Sequence, residues 1–139
     1  MRTMRAPGAA VEAQVGYAGR EGRGVAYARL AGPIAPKLMR VAFRSGNPGA
    51  GERATAYAAL TAIGQALAQR GCRNVRFVVG DAEFAQEFTS GRGVDERLAL
   101  PYVRLRCLLN SLKKFAVRVG SVEDLTQRAR AEVALNVAA

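Results

Sequence analysis

The hydrophobic periodicity of this chain changes near residue 50, and that change restricts its possible folds more than any other feature. Before it, the sequence reads as strands. Val11 to Ala18 (VEAQVGYA) and Gly24 to Leu30 (GVAYARL) are strand-like and flank a turn marked by Gly19, Gly22 and Gly24. Gly32-Pro33 and Pro36 break the chain again. Leu38 to Arg44 (LMRVAFR) alternates, with Met39, Val41 and Phe43 on one face and Arg40 and Arg44 on the other. After the turn-rich loop SGNPGAG (45–51) the period becomes helical. From Glu52 onward, Tyr57, Leu60, Ile63 or Gly64, and Leu67 share a face, and Gly71 supplies a stop.

The remainder alternates between the two periods. Asn74 to Gly80 (NVRFVVG) has the apolar, β-branched character of a central strand. Asp81 opens a short helix (AEFAQEFT) that Gly91 and Gly93 end. A longer helix is predicted from about Leu98 to Lys114, with Pro101 in its first turn and Leu98, Leu105, Leu108, Leu109 and Leu112 on its apolar side. Phe115 to Val119 reads as a fifth strand, and a last helix runs from about Glu123 to Val137. The order β-β-β-α-β-α-α-β-α predicts an antiparallel meander followed by parallel crossovers. The result is an α/β domain with a mixed five-stranded sheet flanked by helices.

Composition narrows the function. The 139 residues fit one domain, expected over 11–139 behind a flexible tail at 1–10. Half the residues are apolar, which argues against disorder. No segment approaches the ~20 apolar residues of a membrane span, and Arg2 and Arg5 have no apolar block behind them, so a cytoplasmic protein is expected. There is no histidine, which removes the usual general base and any Ser-His or Cys-His nucleophile pair. Cys72 and Cys107 have no metal-ligating neighbours in sequence and read as inert, reduced residues. The formal charge is +10, which favours acidic partners, nucleic acid above all. Arginine supplies 18 of the 21 basic residues. A GC-rich genome would account for arginine over lysine, but not for the excess of base over acid.

The element order, with the local motifs, resembles the ribonuclease H-like family from about Val11 to Ala138. In that family the first strand ends in Asp-Gly; Tyr17-Ala18-Gly19 is similar, with Ala18 in place of the aspartate. The family's first helix carries a glutamate early, and ATAYAAL (54–60) puts Thr55 or Ala56 there instead. Its fourth strand ends in Asp-Ser before a short helix and a glycine; VVGDAEFAQEFTSG (78–91) resembles this, keeping Asp81 and replacing serine with Ala82. LALPYVRLRCLLNSLKKF (98–115) resembles the long helix that leads into strand five. The last helix of the family carries an A-D-x-L-A-like motif, and AEVAL (131–135) places Glu132 at the fourth acid, with the register open by a residue or two.

The resemblance implies a two-metal nuclease site in which carboxylates hold magnesium or manganese. Ala18 and Thr55 or Ala56 remove two of those ligands, leaving Asp81 and Glu132 as residual acids, too few for catalysis. Substitutes are poorly placed. Glu12 shares the strand face of Ala18 but lies six residues upstream, roughly 20 Å away at ~3.3 Å per residue. Glu21 sits in the glycine-rich turn. Glu52, one turn before Thr55, is nearly on the right face but also favours the positive end of the helix dipole. Asp81 itself is well placed to cap the following helix.

Three functions fit these features. The favoured one is a non-catalytic ribonuclease H-like domain that binds nucleic acid through phosphates, without a cofactor, using Arg20, Arg23, Arg53 and Arg92. The second is a metal-dependent ribonuclease H-type nuclease with rearranged acids, which alone would require magnesium or manganese. The third is a scaffold domain that binds a protein partner or a second copy of itself.

Overall fold

A computed structural model describes residues 10–34, 36–45 and 51–138. The expected tail at 1–10 lies outside the described residues up to position 9, as does the centre of the 45–51 loop. The strands are β1 (Val11–Arg20), β2 (Arg23–Ala31), β3 (Leu38–Arg44), β4 (Asn74–Val79) and β5 (Lys114–Val119). The helices are α1 (Gly51–Gln69), α2 (Ala82–Ser90), α3 (Ala99–Asn110) and α4 (Glu123–Ala138). The strands form one sheet in the order β3-β2-β1-β4-β5. β1, β2 and β3 are antiparallel neighbours, while β4 runs parallel to both β1 and β5. This is the mixed five-stranded sheet that the change in periodicity predicts.

Each face of the sheet has its own core. Val11, Ala13 and Val15 of β1, Ala26, Ala28 and Leu30 of β2, and Val75, Phe77 and Val79 of β4 point to one side. They pack there with Tyr57, Leu60, Ile63 and Leu67 of α1, Phe84 and Phe88 of α2, and Leu105 and Leu109 of α3. Among the described residues the other face carries only α4, whose Leu125 and Ala129 meet Val25 and Tyr27 of β2 over Val122. A strand flips successive side chains between faces, so the alternation along β2 supplies both cores at once.

Local chemistry sets the boundaries. Glu21 and Gly22 both have positive φ (54° and 80°), the two-residue turn whose twist suits a β-hairpin, and it sets the β1–β2 register. Gly71 (φ 84°) ends α1, and the Cys72 N–H donates to the Leu67 carbonyl at 3.1 Å. α3 is shorter than the expected Leu98–Lys114 helix. It stops at Asn110, and Lys114 already belongs to β5. Leu112, the last of the five apolar residues at the expected spacing, is buried from the connecting turn rather than from the helix.

Gly16 brings α4 onto the sheet. A Cβ there would lie 2.4 Å from the Thr126 backbone nitrogen, so only glycine lets the helix pack directly on β1. α4 crosses the sheet at this point. Beyond one side of it lie the C-terminal ends of β1 and β4. Beyond the other, on the α4 side of the sheet, no helix among the described residues covers the outer halves of β4 and β5.

Candidate nucleic-acid interface

β1 and β4 pair only from Val11–Val75 to Gln14–Val78, and their C-terminal ends open onto a cleft of about 450 Å³. β1 contributes Tyr17, Ala18 and Gly19, and β4 leads into Gly80 and Asp81. α1 supplies Glu52 and Thr55, which share a face at i, i+3. Of the two residues expected at the helix position, Thr55 is the one that faces the cleft. Ala56 is fully buried in the core. Thr55 approaches β1 so closely that a Cβ on Gly19 would meet its side chain at 2.9 Å.

Asp81 is the N-cap of α2, and its Oδ1 accepts from the Phe84 N–H at 3.0 Å. Tyr17 stands near Asp81 and Glu52. Its hydroxyl is pushed well above the usual tyrosine range, first by burial and then by those two carboxylates, so it remains protonated.

The placement of the fourth acid at Glu132 is corrected by the structure. α4 turns Glu123, Thr126 and Arg130 toward the cleft. Glu132 is two residues past Arg130, about 200° around the helix, and cannot share that face. It reaches β2 and β3 instead, where its carboxylate accepts from the Tyr27 hydroxyl and from Arg40. Arg40 and Tyr27 hold the Glu132 carboxyl down to about 2. Sequence reasoning missed the residues α4 does present, because a register error of two turns an acid into an arginine.

The residues present do not fit a two-metal centre. The first-strand position offers a methyl group and the α1 position a hydroxyl, in place of carboxylates. Among the described residues, no group of three or more His, Cys, Asp or Glu is positioned to hold a metal ion. Arg130 adds a positive charge to the same cleft, which opposes a divalent cation.

Comparison with solved structures agrees with this architecture. The ribonuclease H1 of the halophilic archaeon Halobacterium salinarum is similar over 91% of this chain and 98% of its own, at 19% identity and a TM-score of 0.70. The N-terminal ribonuclease H domain of Rv2228c from Mycobacterium tuberculosis matches over 93% and 99%, at 14% identity and a TM-score of 0.69. LC11 ribonuclease H1, solved in complex with an RNA/DNA hybrid, matches over 93% and 99%, at 10% identity and a TM-score of 0.65. The chain has a ribonuclease H fold. No family model and no curated protein matches it. Within this ribonuclease H fold, the positions that the sequence resemblance assigns to catalytic acids on β1, α1 and β4 meet in one cleft. Ala18, Thr55 and Asp81 occupy them.

The expected phosphate contacts separate into two groups. In the β1–β2 ladder Arg20 lies opposite Arg23, and in the β2–β3 ladder Arg23 lies opposite Arg44. Directly opposed residues point to the same face, so three exposed arginines form a row across adjacent strands. Arg20 is two residues beyond Ala18 on the same face of β1, which sets the row at the rim of the cleft. Among the described residues none of the three makes an ion pair, although Glu21 lies in the turn between two of them. The sequence alone did not single out Arg44, because its place opposite Arg23 follows from the β2–β3 pairing register.

Arg53 and Arg92 lie elsewhere. Arg53 is bound to Glu87 at 2.8 Å and to Glu83 at 3.5 Å, and the Tyr57 hydroxyl donates to the same Glu87 at 2.7 Å. Its charge is therefore neutralised internally. Arg92 is exposed beyond α2, in a depression shared with Glu83 and Glu87.

Proposed function

We propose that this chain is a non-catalytic, nucleic-acid-binding ribonuclease H-like domain that grips the sugar–phosphate backbone through Arg20, Arg23 and Arg44. The observation that carries this reading is the unneutralised arginine row at the cleft rim. Like charges directly opposed in a β-ladder repel, by roughly 0.2–1 kcal/mol per pair, and a phosphate bridging them offsets that cost. The net charge of +10 and the LC11 ribonuclease H1 complex with an RNA/DNA hybrid support the same partner class.

Glu52, Asp81 and Glu123 line the cleft and repel phosphates, so the backbone runs along the rim rather than into the cleft. Contacts of this kind carry little sequence preference. The chain has no tryptophan for base stacking.

The test is a salt titration of binding to single-stranded, duplex and RNA–DNA hybrid oligonucleotides, with and without EDTA. Binding should be independent of EDTA. R20A/R23A/R44A should weaken it and reduce the slope of log K against log salt by about 2–3, near 0.9 for each lost phosphate contact. Absence of binding at low salt would overturn the reading and leave a protein-scaffold role. Metal-dependent cleavage of the hybrid, abolished by Asp81→Asn, would replace it with the nuclease.

A further inference from the structure

We infer that the helix-free face of β4 and β5 is a second phosphate-backbone site, so that one chain holds two nucleic-acid segments; this rests on the proposed binding function. α4 packs on β1 and β2, and among the described residues no helix covers this part of the sheet. In the β4–β5 ladder Arg76 lies opposite Ala116. The diagonal neighbours of Arg76 on the same face are Lys114 and Arg118, at roughly 7–8 Å between backbones. All three are exposed, and Ala116 between them is too small to screen one from another.

Among the described residues none of the three makes an ion pair. Glu12 of β1 lies opposite Arg76, but its carboxylate accepts from Gln14 Nε2 at 3.3 Å. The patch therefore carries three cations against one carboxylate. Two other arginines on the same side of the sheet are engaged internally: Arg29 pairs with Asp124 and Arg40 with Glu132. A concentrated, unneutralised cationic patch on a flat sheet face complements a run of phosphates.

This patch is distinct from the arginine row. Arg118 is level with Gln14 of β1 through Val78, six residues before Arg20, or about 20 Å along the strands. α4 stands between the two as a ridge ~10 Å across. One straight backbone segment cannot lie on both, whereas two segments can be held side by side.

The experiment mixes the full chain at low salt with two populations of a short RNA–DNA hybrid, one labelled with a donor dye and one with an acceptor. Energy transfer reports bridging, and sedimentation reports stoichiometry. The wild-type chain should bind two hybrids and give transfer. R76Q/K114Q/R118Q should bind one, without transfer, with its remaining affinity within about twofold of that of the arginine row in the wild type. R20A/R23A/R44A should also bind one. A wild-type complex that saturates at one hybrid, or a β4–β5 variant that still takes two, would overturn the second site and leave the first intact. Failure of every form to bind would overturn both. Circular dichroism of each variant establishes that the exposed substitutions preserve the fold.

Discussion

Arg40 on β3 donates from Nε to both carboxylate oxygens of Glu132 on α4, at 2.9 Å each, and so ties the end of the last helix to the edge of the sheet. Tyr27 donates to the same carboxylate from below. The Glu132 pKa is depressed from 4.5 to about 2, so the contribution of this cluster is complete above pH 4.5 and is lost as pH falls toward 2. Arg40 is about half exposed, and solvent screening limits the contribution to about 1 kcal/mol. Glu132→Gln should lower stability by that amount at neutral pH and flatten the acid limb between pH 4.5 and 2. Urea unfolding at several pH values measures both effects.

Gly16→Ala should cost about 1–3 kcal/mol, the usual penalty for overpacking. The added methyl would meet the backbone of Leu125 and Thr126, which cannot swing aside as a long side chain would. Because α4 also forms one wall of the cleft, the variant should show faster amide exchange in α4 than in α1. Thermal melting and hydrogen exchange together distinguish this from a general loss of stability.

Tyr17 and Tyr57 should resist alkaline titration. The Tyr57 hydroxyl is pushed well above its ordinary range by burial and by its hydrogen bond to Glu87, and Tyr17 by burial beside Asp81 and Glu52. A raised folded-state pKa gives stability that is complete below pH 10 and is lost above it. Tyr17 and Tyr57 should therefore ionise only as the chain unfolds, which the absorbance of tyrosinate reports when wild type is compared with Tyr17→Phe and Tyr57→Phe. Tyr57→Phe should cost about 1–3 kcal/mol, because Glu87 keeps Arg53 but loses a buried donor.

Magnesium and manganese should leave the wild-type melting temperature unchanged. Introducing carboxylates by Ala18→Asp and Thr55→Glu, with Arg130→Ala to remove the opposing charge, should create metal-dependent stabilisation that grows with the logarithm of metal concentration. A wild-type chain stabilised by either ion would show that Glu52, Asp81 and Glu123 converge on metal in solution.

The sequence by itself determined the element order, and with it the sheet. Alternation in LMRVAFR and VEAQVGYA and the apolar run NVRFVV are local patterns, and burial acts on them residue by residue. It also determined the degenerate site on β1 and β4. Ala18 and Asp81 are placed by strand ends, which turn residues mark, and the same logic located the cap of α2. Tertiary structure alone decided which cations lie side by side. Arg44 joins Arg20 and Arg23, and Arg118 joins Arg76, through strand registers set by long-range pairing. It also decided that Arg53 is consumed by Glu87, and that α4 turns Arg130 rather than Glu132 toward the cleft. A helix advances 100° per residue, so an offset of two in a motif without turn signals moves a side chain to the opposite face, and the packing of α4 on the sheet, closest at Gly16 and Thr126, fixes that rotation.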